Sequence, residues 1–243
     1  MPGRLILVAT PIGNLGDLSP RAARALAEAD LVCCEDTRVT GKLLSHLGIS
    51  KPLRSLHEHN ERARLESLLG ELASGRSIAV VSDAGTPLVS DPGFLLARAA
   101  IAAGVPVESI PGPSAILAAL AVSGLPPYPF TFCGFAPPKS GKRRAFFRRF
   151  AALDHTLVLF ESPHRVAASL ADAAAELGAE RPAALARELT KLHEEVLRGS
   201  LRDLAAAVAA REPRGEYVLV VGPPACGERA ADPSSGPDPF AAE

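Results

Sequence analysis

Ser82-Asp83-Ala84-Gly85-Thr86-Pro87-Leu88-Val89-Ser90-Asp91-Pro92-Gly93 separates an apolar run, Ser77-Ile78-Ala79-Val80-Val81, from a stretch of helical periodicity. The apolar run reads as a strand buried on both faces, the pattern of a parallel sheet. The helix is expected to begin at Pro92, with Asp91 as its N-cap. Between them lies a loop of small residues with one fixed carboxylate, Asp83. In open parallel sheets ligands bind beyond the carboxyl ends of the strands, where this loop belongs. Small side chains there let a ligand approach the backbone.

The same grammar recurs on either side. Leu5–Ala9 is an apolar run followed by Thr10-Pro11-Ile12-Gly13-Asn14-Leu15-Gly16-Asp17 and a helix capped by Ser19 with Pro20 at its first position. The glycine spacing is not that of a dinucleotide fingerprint. Leu31–Cys34 is a second short strand, ending in Glu35-Asp36-Thr37-Arg38, whose spacing fits an ion pair in a loop. Ser55-Leu56-His57-Glu58-His59-Asn60 lacks a third residue at metal-ligand spacing and reads as a polar loop shaping a substrate entrance. Ala63–Ala73 has helical period and stops at Gly75, and Val105–Ile110 is a strand leading into Pro111-Gly112-Pro113-Ser114-Ala115. Repeated strand-loop-helix units predict an α/β fold with a parallel sheet and right-handed crossovers.

Ser123-Gly124-Leu125-Pro126-Pro127-Tyr128-Pro129 holds three prolines and a glycine, too many for a helix interior or a central strand. It is read as a linker (123–129) between an N-terminal domain, 1–122, and a C-terminal domain, 130–223. In the second domain Phe130–Phe135 is a strand. Lys139–Phe150 is a helix with Phe146, Phe147 and Phe150 on one face and Lys139, Lys142, Arg143, Arg144, Arg148 and Arg149 on the other. No acid occurs between Glu108 and Asp154, so this helix is expected to carry unneutralised charge and to meet a polyanion. Thr156–Phe160 is a strand, Pro163–Leu177 a helix closed by Gly178, and Ala183–Ala186 a strand. Ser200–Asp203 opens a helix in a capping-box-like pattern, and Tyr217–Val221 is the last strand. Residues 224–243 lose periodicity and are expected to be disordered.

Composition narrows the function. The chain has 243 residues, 47% apolar and 22% charged, with a formal net charge of -1. That excludes a uniformly basic nucleic-acid coat but permits a local patch. The four cysteines, Cys33, Cys34, Cys133 and Cys226, form no CxxC pair, fit a reducing cytosol and are not expected to bind metal. No apolar run is long enough to span a membrane. Met1-Pro2-Gly3-Arg4 leads straight into the first run, the pattern of a chain with no signal peptide and of cytoplasmic location.

Val8–Ala22 (VATPIGNLGDLSPRA), Cys34–Arg38 (CEDTR), the opening stretch, Pro111–Ala115 (PGPSA), Phe160–Arg165 (FESPHR), Ala186–Lys191 (ARELTK) and Gly215–Val221 (GEYVLVV) together resemble the tetrapyrrole methylase superfamily. The likeness covers residues 4–222. Within the superfamily it points to the branch that methylates a cytidine ribose 2'-hydroxyl in 16S ribosomal RNA. It implies two α/β domains of class III methyltransferase type, the N-terminal sheet mostly parallel and the C-terminal one mixed. It also implies a homodimer, and S-adenosyl-L-methionine bound in a cleft between the domains. The donor pocket would use Pro11, Asp83, Ala84, Gly85, Ser114 and Ala115, completed by main chain near Phe160 and Ala186. The substrate would be 16S RNA within the 30S subunit. Members of the family often carry a helical extension after the last strand, and Pro223–Glu243 is too short and irregular for one.

A neutral hydroxyl needs a proton acceptor, and the candidates are Glu35 and Asp36, then Glu188. Arg38, Arg165 and Lys191 would hold a carboxylate ionised or contact phosphate, and the basic helix would contribute Lys139, Lys142, Arg143, Arg144 and Arg148. Three other readings stay open. A methylase of a small molecule such as a tetrapyrrole would want a more aromatic pocket than a chain with 5% aromatic residues offers. A non-catalytic RNA-binding relative would have lost the donor loops. A nucleotide hydrolase would need a P-loop lysine.

Overall fold

The computed structural model describes residues 3–209, 211, 212 and 214–224. The tail expected over 224–243 falls, Pro224 aside, outside the described residues. Contacts divide the chain into two units. One is the chain up to Ala118 together with Glu188–Glu194; the other is Ala119–Arg187 with the residues after Glu194.

The first unit contains β1 (Leu5–Val8), α1 (Pro20–Glu28), β2 (Leu31–Cys34), α2 (Thr37–His46), β3 (Leu53–Ser55), α3 (Glu61–Ala73), β4 (Ile78–Val81), α4 (Phe94–Ala102) and β5 (Val107–Ile110), and α5 (Ala115–Ser123) follows along the chain. Its sheet has the order β3-β2-β4-β1-β5, with every pair parallel. Every residue of β2 and β4 is buried, as the apolar runs predict. Each fully buried valine, leucine or isoleucine there contributes about 1.5–3 kcal/mol. One face of the sheet packs on α3 and α4 through Leu68, Leu72, Leu96 and Ala100, the other on α1 and α2 through Ala22, Leu26 and Leu44. The chain leaves β1 toward one face and β4 toward the other. Their carboxyl ends therefore flank the topological switch point of the sheet, where such folds seat ligands.

Local signals place α1 as expected. The Ser19 side chain accepts from the Ala22 N–H at 3.0 Å, with Pro20 at the first position. The start of α4 corrects the sequence reading. Leu88 (φ 71°) and Ser90 (φ 68°) are left-handed, and α4 begins at Phe94, after Gly93 at φ 111°. A side chain on Gly93 would meet Leu88 at 2.7 Å, so glycine is required there. Asp91 does not cap the helix. A buried carboxylate from α3 satisfies one of its orphan amides instead: Glu61 Oε1 accepts from the Leu96 N–H at 3.1 Å.

The second unit holds β6 (Phe130–Phe135), α6 (Ser140–Arg148), β7 (Thr156–Glu161), α7 (Val166–Leu177), β8 (Pro182–Arg187), β9 (Glu195–Ser200), α8 (Leu201–Ala209) and β10 (Tyr217–Val221). The sheet order is β6-β7-β10-β8-β9, with β6 and β7 parallel and the other pairs antiparallel, so this sheet is mixed as anticipated. Its core joins Phe147, Leu157, Leu170, Leu185, Leu204 and Leu219. The capping pattern at Ser200 is reciprocal: Asp203 N–H donates to Ser200 Oγ at 3.1 Å, and Ser200 N–H to Asp203 Oδ2 at 3.1 Å. Phe147 is buried on α6, with Phe146 and Phe150 packed beside it.

The cationic face of α6 is another correction. Arg143 is 4% exposed, and its Nε donates to Asp172 Oδ2 at 2.7 Å. Arg144 and Arg148 both pair with Glu176, at 2.6 and 2.9 Å. The two acids come from α7, so the helix is largely neutralised by a neighbour that its own sequence window does not contain. Lys139 and Lys142 are exposed and make no ion pair among the described residues.

Candidate active site

The loops after β1 and β4 are clasped together. Thr10 and Gly85 form a two-way bridge, Thr10 N–H to Gly85 O at 2.9 Å and Gly85 N–H to Thr10 O at 3.1 Å. Thr10 Oγ1 donates to Ser82 O and Ser82 Oγ to Gly85 O, both at 3.1 Å. Gly85 sits at φ 85°, open only to glycine without strain. The loop after β5 closes in from the other side, where a Cβ on Gly112 would stand 3.0 Å from that of Ala9. Thr86 Oγ1 reaches Pro113 O at 3.4 Å. Pro11, Asp83, Ala84, Gly85, Ser114 and Ala115 thus belong to three loops on one rim of the first sheet. Phe160 and Ala186 lie near the ends of β7 and β8 in the second unit, where Ala186 is buried and the Phe160 ring packs on Phe132 and Phe135.

Beside the clasp, at the carboxyl ends of β2, β3 and β4, lies an open cavity of about 490 Å³. Glu35, Asp36 and Arg38 line it after β2, His57 and His59 after β3, and Asp83 after β4. The polar loop read as a substrate entrance is therefore part of its wall. Asp83 Oδ1 accepts from the Asp36 N–H at 3.1 Å, tying the wall to the clasp. Asn60 orders the histidine loop. Its Oδ1 accepts the His57 N–H at 2.9 Å, which leaves its amide N–H facing His57 Nε2 at 2.8 Å. Nε2 must then accept, so the ring proton sits on Nδ1.

The three proposed proton acceptors have different surroundings. Asp36 caps α2, accepting from the Arg38 N–H at 2.8 Å, and its other oxygen pairs with the Arg38 guanidinium at 2.5 Å. Hydrogen bonds from Arg38 bring the Asp36 carboxyl down to about 2. The ion pair expected from spacing is present, and it leaves Asp36 a weak base. Burial, then the charges of Asp83 and Glu58, push the Glu35 carboxyl up. Glu188 lies in the loop that packs with the first unit, at φ 51°. Its Oε1 accepts from Lys191 Nζ at 2.9 Å. Lys191 and Thr190 lie against Gly13, where any side chain would collide with Lys191. Thr190 is left-handed too, at φ 67°, a costly conformation for a β-branched residue. Strain of this kind concentrates at functional segments.

Sequence reasoning missed Asp91 as a member of this acidic group. Burial first, then the charges of Glu35 and Asp83, raise its carboxyl from 3.8 to about 6. Between those values the folded chain holds a proton that the unfolded chain has released. Ionisation therefore subtracts stability as pH rises through that window, by an amount that solvent screening of this half-buried group reduces. Asp91→Asn is expected to be more stable than the parent at neutral pH and to show a flatter stability profile between about pH 4 and 6. Urea unfolding across that range checks it, and parallel profiles would refute it. Among the described residues no three His, Cys, Asp or Glu side chains are grouped to hold a metal.

The sequence model of the tetrapyrrole (corrin/porphyrin) methylases matches residues 4–205. The protein named ribosomal RNA small subunit methyltransferase I from Xylella fastidiosa (strain Temecula1) is 54% identical over 222 residues, covering 90% of this chain and 81% of that protein. A protein of the same name from Mycobacterium tuberculosis is 52% identical over 221 residues, covering 90% and 77%. Among solved structures, a diphthine synthase superposes with a TM-score of 0.72 at 20% identity, covering 91% of this chain and 90% of that one, a likeness of fold.

Proposed function

The chain belongs to the tetrapyrrole methylase family, and from that premise we propose that it transfers the methyl group of S-adenosyl-L-methionine to the ribose 2'-hydroxyl of a cytidine in 16S ribosomal RNA. It is an S-adenosylmethionine-dependent methyltransferase. The observation that carries the RNA reading is the 54% identity, over nine-tenths of the chain, to a relative named for the small-subunit RNA. The clasped rim supports the cofactor reading. Backbone N–H and C=O groups at Thr10 and Gly85 are bonded to each other, which holds the loops in place before a ligand arrives, and small side chains leave room for a folded nucleoside. Pro11, Asp83, Ala84, Gly85, Ser114 and Ala115 are the residues we assign to it, with Phe160 and Ala186 contributing as the family resemblance implies.

In-line displacement at the sulfonium neutralises the donor, so a water-poor site favours the product. Much of the acceleration comes from aligning oxygen, methyl and sulfur. Attack leaves a strongly acidic oxonium on the ribose, which passes its proton to a carboxylate. We assign that role to Glu188. Its loop packs on the first donor loop at Gly13, and the hydrogen bonds from Arg38 that bring Asp36 down to about 2 leave it a weak base. Lys191 Nζ donates to Glu188 Oε1 at 2.9 Å and orients the carboxylate. Lys139, Lys142, Arg38 and Arg165 remain the RNA contacts we propose, while Arg144 and Arg148 are engaged by Glu176 and Lys191 by Glu188. Arg143 is withdrawn, being buried. The natural substrate is the 30S particle, the working form a homodimer and the compartment the cytoplasm. No helix among the described residues is long and apolar enough to cross a membrane.

The test is titration calorimetry with S-adenosylmethionine, then tritiated-methyl transfer to unmodified 30S subunits with nucleoside digestion. Label in 2'-O-methylcytidine is the expected result; label on a base, or none, overturns the reading.

A further inference from the structure

We propose that the cavity after β2, β3 and β4 seats the base of the target nucleotide, and that Glu35 selects that base by accepting a hydrogen bond from its exocyclic amino group. This rests on the methyl-transfer reading above and goes beyond it, because it assigns the choice of base to one side chain.

The cavity shares Asp83 with the clasped rim, so it adjoins the proposed donor site. Its volume, about 490 Å³, lies within the range of small-ligand sites and leaves room for a nucleoside. A base must leave its stack to enter such a pocket, and enzymes acting on nucleotides read the extruded base by its Watson–Crick edge. The wall holds three carboxylates, Glu35, Asp36 and Asp83. These carboxylates outnumber the one guanidinium of the wall, Arg38, so the cavity disfavours phosphate and favours a neutral group that donates hydrogen bonds. Two of the three are already engaged. Asp36 is held by Arg38, and Asp83 accepts from the Asp36 N–H. His57 is engaged as well, through Asn60. Glu35 makes no hydrogen bond and no ion pair among the described residues, and it is exposed to the cavity it lines.

Burial, then the charges of Asp83 and Glu58, raise the proton affinity of Glu35, which favours a donor group placed against it. Cytosine offers that donor in its 4-amino group, and a carboxylate is the acceptor that group calls for. Uracil presents a carbonyl oxygen at the same place, which would face the Glu35 oxygens across unpaired lone pairs. A site built to pair a donor rejects the analogue that lacks it, because its own polar group is then left unmatched. The device is therefore repulsive as well as attractive.

Glu35→Gln tests this, because the amide keeps the shape and can turn its N–H₂ toward a carbonyl. The position methylated by the parent enzyme is mapped first. Initial rates are then measured on 30S particles carrying cytidine or uridine there. The parent should prefer cytidine strongly. Glu35→Gln should shift the cytidine-to-uridine ratio of kcat/KM toward uridine by about 10- to 100-fold, the range of one lost base-edge discrimination. Its affinity for S-adenosylmethionine, by calorimetry, and its melting temperature should be unchanged. An unchanged ratio overturns the proposal, whether both rates fall together or neither moves. Failure of the underlying reading looks different: the parent itself would place no methyl on the ribose of cytidine.

Discussion

Glu188→Gln is expected to lower kcat by a factor of about 10²–10⁴, the usual range for losing a positioned proton acceptor, while leaving S-adenosylmethionine affinity intact. Glu188 stands at φ 51°, and two residues on Thr190 stands at φ 67°. Each left-handed residue without glycine costs on the order of 1–3 kcal/mol. The fold tolerates both to bring Thr190 and Lys191, the partner of Glu188, onto the loop that begins at Thr10. The glutamine keeps the size of the side chain and a partner for Lys191, so the loop should stay in place. What disappears is the basic oxygen. Single-turnover transfer isolates that step from product release, and calorimetry reports cofactor binding. Asp36→Asn is the companion. Asparagine caps helices as well as aspartate does, so α2 should persist and methyl transfer should continue at near-parental rate. Full turnover in Glu188→Gln with loss in Asp36→Asn would reverse the assignment.

That contrast marks the boundary of what the chain discloses before it folds. The strands Leu5–Val8, Leu31–Cys34 and Ile78–Val81 are legible because burial on both faces demands uninterrupted apolar runs. The caps at Ser19 and Ser200 are legible because each is satisfied within three residues. The clasped rim follows from them, since parallel strands deliver their loops to one edge. Elements held by distant partners are not legible. The helix α2 starts Thr-Arg-Val-Thr-Gly, poor helix formers apart from the arginine, and depends on the Asp36 cap and on Leu44 in the core. The strands β3 and β9 are partly exposed edge strands with no clean alternation. Asp91 precedes a proline and looks like a cap, yet two left-handed residues upstream and Glu61 from α3 take that role from it. The nearness of Glu35, Asp83 and Asp91 belongs to the sheet order rather than to any spacing along the chain.

The α6 helix puts the same distinction to a stability test. Arg143→Met should lower unfolding free energy by about 3–5 kcal/mol, the cost of stranding a buried charge. Met keeps the apolar stem. It removes the guanidinium, which donates to Asp172 at 2.7 Å and to Pro138 O at 3.1 Å. Asp172 is only 15% exposed in its side chain and would keep Ser140 Oγ alone, which cannot neutralise it. Arg143→Met with Asp172→Leu should recover most of the loss, because two apolar groups replace two charges and neither is left unpaired. Lys142→Glu, on the exposed side of the same helix, should move stability by no more than about 0.5 kcal/mol. Its effect belongs to RNA instead, as weaker binding with a shallower salt dependence. Urea midpoints for the four proteins separate the two roles. An unchanged midpoint in Arg143→Met would return this arginine to the surface and to the polyanion that its sequence neighbours suggest.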